Sequence, residues 1–127
     1  MLRILLASPD KDSLVDLKTG FEEDGVEITW AENCGDIFFR LNEETFDLIV
    51  IDEKLPEMNG LECIEKLISS NPMLNCAAIS SLPTDEFHEA SEGLGVLMQL
   101  PENPSKEDAV KLLNHLSIIL NLTKKVS

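Results

Sequence analysis

Short apolar runs alternate along this chain with longer stretches whose apolar residues recur every three or four positions. Arg3-Ile4-Leu5-Leu6-Ala7 reads as a buried strand that Ser8-Pro9-Asp10 breaks. From about Asp12 to Glu23, Leu14, Val15, Leu17 and Phe21 fall at helical spacing, and Gly25 ends that segment. Glu27-Ile28-Thr29-Trp30-Ala31 alternates as a second strand, and Asn33 is placed to cap a helix that turns Ile37, Phe38 and Leu41 inward. Phe46-Asp47-Leu48-Ile49-Val50-Ile51 is apolar almost throughout, the pattern of a strand buried on both faces of a parallel sheet.

The loop from Asp52 to Gly60 leads into a helix with Leu61, Ile64, Leu67 and Ile68 on one side, closed by Pro72. Cys76-Ala77-Ala78-Ile79 predicts a fourth strand. Thr84 predicts the cap of a short helix reaching about Glu92, with Phe87 as its core residue. Val96-Leu97-Met98-Gln99-Leu100 predicts a fifth strand, stopped by Pro101. Ser105 predicts the cap of a last helix through about Leu122, with Glu107 and Asp108 suited to its first turn and Lys124 and Lys125 just past its end. Strand and helix alternate five times with no repeat, linker or low-complexity tract. The expected fold is therefore one α/β domain over residues 1–127, a doubly wound parallel sheet with helices on both faces. In such sheets, chemistry sits beyond the carboxyl ends of the strands. The positions to inspect are then Ser8 to Asp10, Asp52 to Lys54, Ser80 to Ser81, and Leu100 to Pro101.

Charge narrows the partners. With 24 Asp and Glu against 10 Lys and Arg, the net charge of −14 repels nucleic-acid phosphates and anionic membranes, which leaves proteins or cations. No apolar run approaches the roughly 20 residues that span a bilayer. Cys34, Cys63 and Cys76 are widely spaced and form no CxxC pattern, so they are expected as separate reduced thiols packed as small hydrophobes. These features together point to the cytoplasm. His88 and His115 belong to no nucleophile or metal motif and are expected at the surface.

The stretch Asp47-Leu48-Ile49-Val50-Ile51-Asp52-Glu53-Lys54-Leu55-Pro56-Glu57-Met58-Asn59-Gly60 resembles the receiver domain of two-component response regulators, and the likeness runs from about Arg3 to Leu122. The resemblance implies a flavodoxin-like sheet of order 2-1-3-4-5, Asp52 as phosphoacceptor and Ser80 as the hydroxyl that follows a phosphoryl group. It also implies a pair of acids after the first strand that holds Mg²⁺, a lysine before the proline of strand five, and an aromatic switch residue on that strand. Here the acid pair is Ser8 and Pro9, the lysine is Leu100 before Pro101, and the switch position is Leu97.

That departure bears directly on chemistry. Phosphoryl transfer to a carboxylate requires neutralisation of charge on the equatorial oxygens, and Mg²⁺ takes hard oxygen ligands, usually one or two carboxylates. Pro9 offers neither a side-chain ligand nor an N–H, and losing one electrostatic stabiliser costs about a hundredfold to a thousandfold in rate. The expected protein is thus an atypical receiver, not an enzyme. It would act by protein contact with a histidine kinase or downstream effector, without a cofactor and with weak or no Mg²⁺-dependent phosphorylation at Asp52. A second reading keeps phosphorylation, with the acidic site rebuilt on Asp10 and Mg²⁺ bound. Two roles are open to Lys54: its ammonium reaches Asp52 in place of the missing cations, or it is a solvated loop lysine. A flavin-binding domain of the same fold class lacks its phosphate loop after strand one and has one Trp and no Tyr to stack a ring. On the last helix Ala109, Leu112, Leu113, Leu116 and Leu120 fill a core stripe. Val110, Ile118, Ile119 and Leu122 remain over, and two readings are open: a partner surface suited to docking or homodimerisation, or simply a wide buried face.

Overall fold

A computed structural model describes residues 2–125, and side chains through residue 120. Its strands are β1 (Arg3–Ala7), β2 (Glu27–Ala31), β3 (Leu48–Ile51), β4 (Cys76–Ile79) and β5 (Gln99–Leu100). Its helices are α1 (Val15–Glu23), α2 (Cys34–Glu43), α3 (Gly60–Ser70), α4 (Thr84–Ala90) and α5 (Lys106–Lys125). The sheet is parallel throughout, in the order β2-β1-β3-β4-β5 that the resemblance implied. The Leu122, Lys124 and Lys125 side chains, assigned from sequence to the end of α5 and just past it, lie outside the described residues.

Alternation along the central strands divides the core in two. Ile4 and Leu6 of β1, Leu48 and Val50 of β3, and Leu100 of β5 face α1 and α5, where Leu17, Phe21, Leu112 and Leu116 meet them. Leu5, Ala7, Ile49 and Ile51 face the other way, onto Ile37 of α2, Cys63, Ile64 and Leu67 of α3, and Phe87 of α4. Each fully buried Leu, Ile or Phe contributes about 1.5–3 kcal/mol. The two-sided burial therefore holds β1 and β3 in adjacent central positions.

Helix starts follow the local sequence. Asn33 Oδ1 accepts from the Asp36 N–H at 2.7 Å, and Asn59 with Glu62 forms a reciprocal capping box that opens α3. Ser105 and Asp108 close the same kind of ring at α5. α4 begins at Thr84 itself, with Pro83 in the capping position. The residues before α1, Lys11–Leu14, form a tighter 3-10 turn. Leu14, Leu17 and Phe21 share the buried face, and Val15, one position off that stripe, is 53% exposed. β5 is shorter than the Val96–Leu100 run suggested, although Leu97 N–H still donates to Cys76 O at 2.8 Å.

One expectation is overturned. Cys34 and Cys63 are joined in a disulfide, and only Cys76 is a free thiol. Cys34 is the first residue of α2 and Cys63 lies in the first turn of α3. Both helices start at the carboxyl end of the sheet on the same face, which brings the two Cα atoms to 5.8 Å, inside disulfide range. The spacing of 29 residues carries no trace of that proximity. Burial pushes the Cys76 thiol up to about 12, so it stays protonated and inert.

Closing a loop of this length constrains the unfolded chain by about 3–4 kcal/mol. Dithiothreitol should therefore lower the denaturation midpoint of the folded protein by a corresponding amount. Alkylation after denaturation without reductant should label one thiol; labelling of all three refutes the link. A second prediction concerns Gly60, where an added Cβ would sit 2.5 Å from the Asp52 carbonyl oxygen. Gly60→Ala should cost about 2–4 kcal/mol and shift the Asp52 amide resonance, whereas a neutral effect in urea denaturation contradicts this packing.

Candidate phosphoacceptor site

Asp52 follows β3 directly, and its N–H donates to Ala7 O at 2.9 Å, which continues the β1–β3 ladder to the strand ends. Ser8 follows β1 and its N–H donates to Ala31 O. The two side chains therefore meet. Ser8 Oγ donates to Asp52 Oδ2 at 2.7 Å, a charge-assisted hydrogen bond, and accepts from the Asp10 N–H at 3.0 Å. Ser8 is fully buried, and its one hydroxyl proton has two acceptors in reach, Asp52 Oδ2 at 2.7 Å and the Asp10 carbonyl oxygen at 3.1 Å, of which the nearer, charged one is the stronger. The second carboxylate oxygen, Oδ1, receives the backbone N–H of Lys54 at 3.4 Å. This is how Lys54 reaches Asp52: through its amide. Its side chain is exposed on the Lys54–Asn59 bridge of the loop, and among the described ion pairs none joins its ammonium to Asp52.

Pro9, Asp10, Ser13, Asp52, Glu53, Lys54, Glu102 and Asn103 line an open pocket of 310 Å³, together with Leu14 and Ile79. Four of these are carboxylates and one is an ammonium. Bringing another unit negative charge to about 4 Å from a carboxylate costs on the order of 4 kcal/mol at an effective dielectric near 20. A phosphoryl dianion would meet that field with little to offset it. Leu100, at the position of the family's lysine, is fully buried among Ile4, Leu6 and α5, while Pro101 is exposed. Leu97 is half-buried against the same cluster.

The donor set does not fit a magnesium ion. Asp52 Oδ2 is taken by Ser8 and Pro9 has no ligand atom on its side chain. Among the described residues no three His, Cys, Asp or Glu side chains converge in a metal-binding group.

Ser80 lies just past β4 and is almost fully buried. Its Oγ accepts from the Leu82 N–H at 3.1 Å, so the hydroxyl closes a local turn, and it lines the space between α3 and α4. Glu53 lies within the Asp52 to Lys54 stretch set out for inspection from the sequence, with no role assigned to it. Its carboxylate accepts from the Ser81 N–H at 3.2 Å and from Ser81 Oγ at 3.0 Å, tying the loop after β3 to the loop after β4. The signal was present in the topology: both residues sit at carboxyl ends of neighbouring strands. Glu102 and Asn103, the latter at φ 51, come from the loop after β5 and were missed. His88 and His115 are exposed, as expected.

Comparison with known proteins agrees with this geometry. The family model of the response regulator receiver domain matches residues 4–114. The chain is 29% identical to the response regulator receiver protein CpdR of Brucella abortus, over 99% of this chain and 97% of that protein. It is 25% identical to the autoinducer 2 sensor kinase/phosphatase LuxQ of Vibrio harveyi over 84% of this chain, and spans only 13% of that much longer protein. Among solved structures, a CheY-like receiver domain protein from Methanospirillum hungatei superposes with a TM-score of 0.80 at 25% identity, covering 100% of this chain and 99% of the other. Five parallel strands in receiver order, with an aspartate at the end of the third, and a family match across most of the sequence lead to one assignment: this chain belongs to the response regulator receiver domain family.

Proposed function

We propose that this receiver is atypical, signalling through protein contacts with weak or no Mg²⁺-dependent phosphorylation of Asp52. The observation that carries the reading is the buried Ser8 hydroxyl on Asp52 Oδ2, at the place where the family's first metal-holding acid would stand. A neutral donor there satisfies the carboxylate without supplying charge to a transferred phosphoryl group. The burial of Leu100 in the core supports the same conclusion, because the end of β5 sends no ammonium into the pocket. A histidine kinase or an effector protein is the natural partner class for such a domain. A helix long and apolar enough to cross a membrane is absent among the described residues. Val110 and Ile118 of α5, 48% and 60% exposed, lie outside the core stripe and support self-association through that helix.

Incubation with acetyl phosphate and Mg²⁺, followed by intact mass, tests the central point. Little uptake is expected; near-stoichiometric addition of one phosphoryl group that disappears in Asp52→Asn establishes the phosphorylating alternative built on Asp10. The double variant Ser8→Asp, Pro9→Asp should raise the uptake rate by about a hundredfold, the worth of one electrostatic stabiliser, and a folded variant with no gain argues against the account of Ser8. Light scattering at increasing concentration should detect a dimer that Ile118→Glu weakens. A monomer at every concentration removes the α5 surface.

A further inference from the structure

We infer that the groove between α3 and α4 docks a basic protein segment carrying an apolar anchor. The inference deepens the reading above by naming a contact surface, and rests on it only in taking the chain to act through protein contacts. The groove exists because α4 is short. Its seven residues bury one large side chain, Phe87, and the chain then turns away through Ser91, whose Oγ donates to Phe87 O at 2.8 Å. What α4 leaves uncovered is a cavity of 400 Å³ with Leu61, Leu82 and Leu94 on its walls, large enough for one or two aliphatic side chains.

Charge selects the occupant. Glu53, Glu62 and Glu65 line the same space, and no Lys, Arg or His side chain is among the lining residues. Glu62 accepts hydrogen bonds from Asn59 and Glu53 from Ser81, which orients both carboxylates without neutralising them. Among the described ion pairs none includes any of the three. An apolar slot rimmed by three negative charges, two of them held in place, complements a leucine or methionine flanked by Lys or Arg. It repels acidic segments and nucleic acid.

The position gives docking a consequence. Glu53 also lines the Asp52 pocket, and Ser80 lines the groove. A guanidinium or ammonium that takes Glu53 competes with the Ser81 N–H and O–H for the same oxygens and loosens the tie between the two loops. Occupancy of the groove is thereby felt at Asp52.

The test is a ¹⁵N NMR titration with a synthetic peptide of about ten residues, two leucines flanked by Lys and Arg, against two controls: the same peptide with Leu→Ser and one with acidic flanks. Saturable shifts should cluster at Leu61, Glu65, Ser81, Leu82 and Leu94. Glu65→Lys should weaken binding about tenfold, while Glu107→Lys on α5 leaves it within about twofold. The proposal fails if shifts scatter over the whole acidic surface, if the Leu→Ser peptide binds equally well, or if Glu107→Lys weakens binding as much as Glu65→Lys. The phosphodonor experiment is independent: the groove can fail while Asp52 remains unreactive, and Asp52 can accept phosphate while the groove still binds.

Discussion

Two-sided burial of a parallel sheet places β1 and β3 side by side at its centre, and the site follows from that adjacency. Ile4 and Leu6 face one helical layer while Leu5 and Ala7 face the other. A one-residue slip of either strand would exchange side chains fitted to two different layers and undo the packing on both. With the register fixed, the residues that leave the carboxyl ends, Ser8 and Asp52, are brought within 2.7 Å of each other. An acid at the serine position would form a cation site with Asp52. The serine instead forms a closed hydrogen bond, and the same scaffold presents a satisfied carboxylate.

The rest of the carboxyl end is organised by polar ties between loops. Glu53 binds Ser81, Lys54 N–H approaches Asp52, and Gly60 packs so closely on the Asp52 carbonyl that a methyl group would collide with it. The disulfide between Cys34 and Cys63 anchors the starts of α2 and α3 beneath the same loops. Each tie restricts the freedom of a segment that would otherwise respond to charge arriving at Asp52.

Much of the fold was legible in the sequence because the strands bury both faces. Runs such as Leu48–Ile51 and Cys76–Ile79 admit few other readings, and β2 and β4 occupy the expected residues. Misplacements arose where a local device overrode the period. The segment Lys11–Leu14 is a 3-10 turn and not the first turn of α1, and the glycines at 93 and 95, both with positive φ, lead into an edge strand of two residues. The strand ends and loops at Asp52, Ser8, Pro9 and Asp10 stand where the alternation put them, whereas Leu100, expected to line the pocket, packs in the core. Glu53 with Ser81, the Cys34–Cys63 link and the amide role of Lys54 depend on approaches between segments, which spacing along the chain does not encode.

The central claim is that Asp52 is satisfied by a neutral hydroxyl and holds no cation. Titration of the folded protein with MgCl₂ into the tens of millimolar, followed by amide shifts of Asp10, Asp52, Glu53 and Lys54, measures this most directly. The account predicts small, linear, non-saturating changes of the kind salt alone produces. Saturable shifts at Asp10 and Asp52 with a millimolar midpoint, absent with NaCl at equal ionic strength, would contradict it.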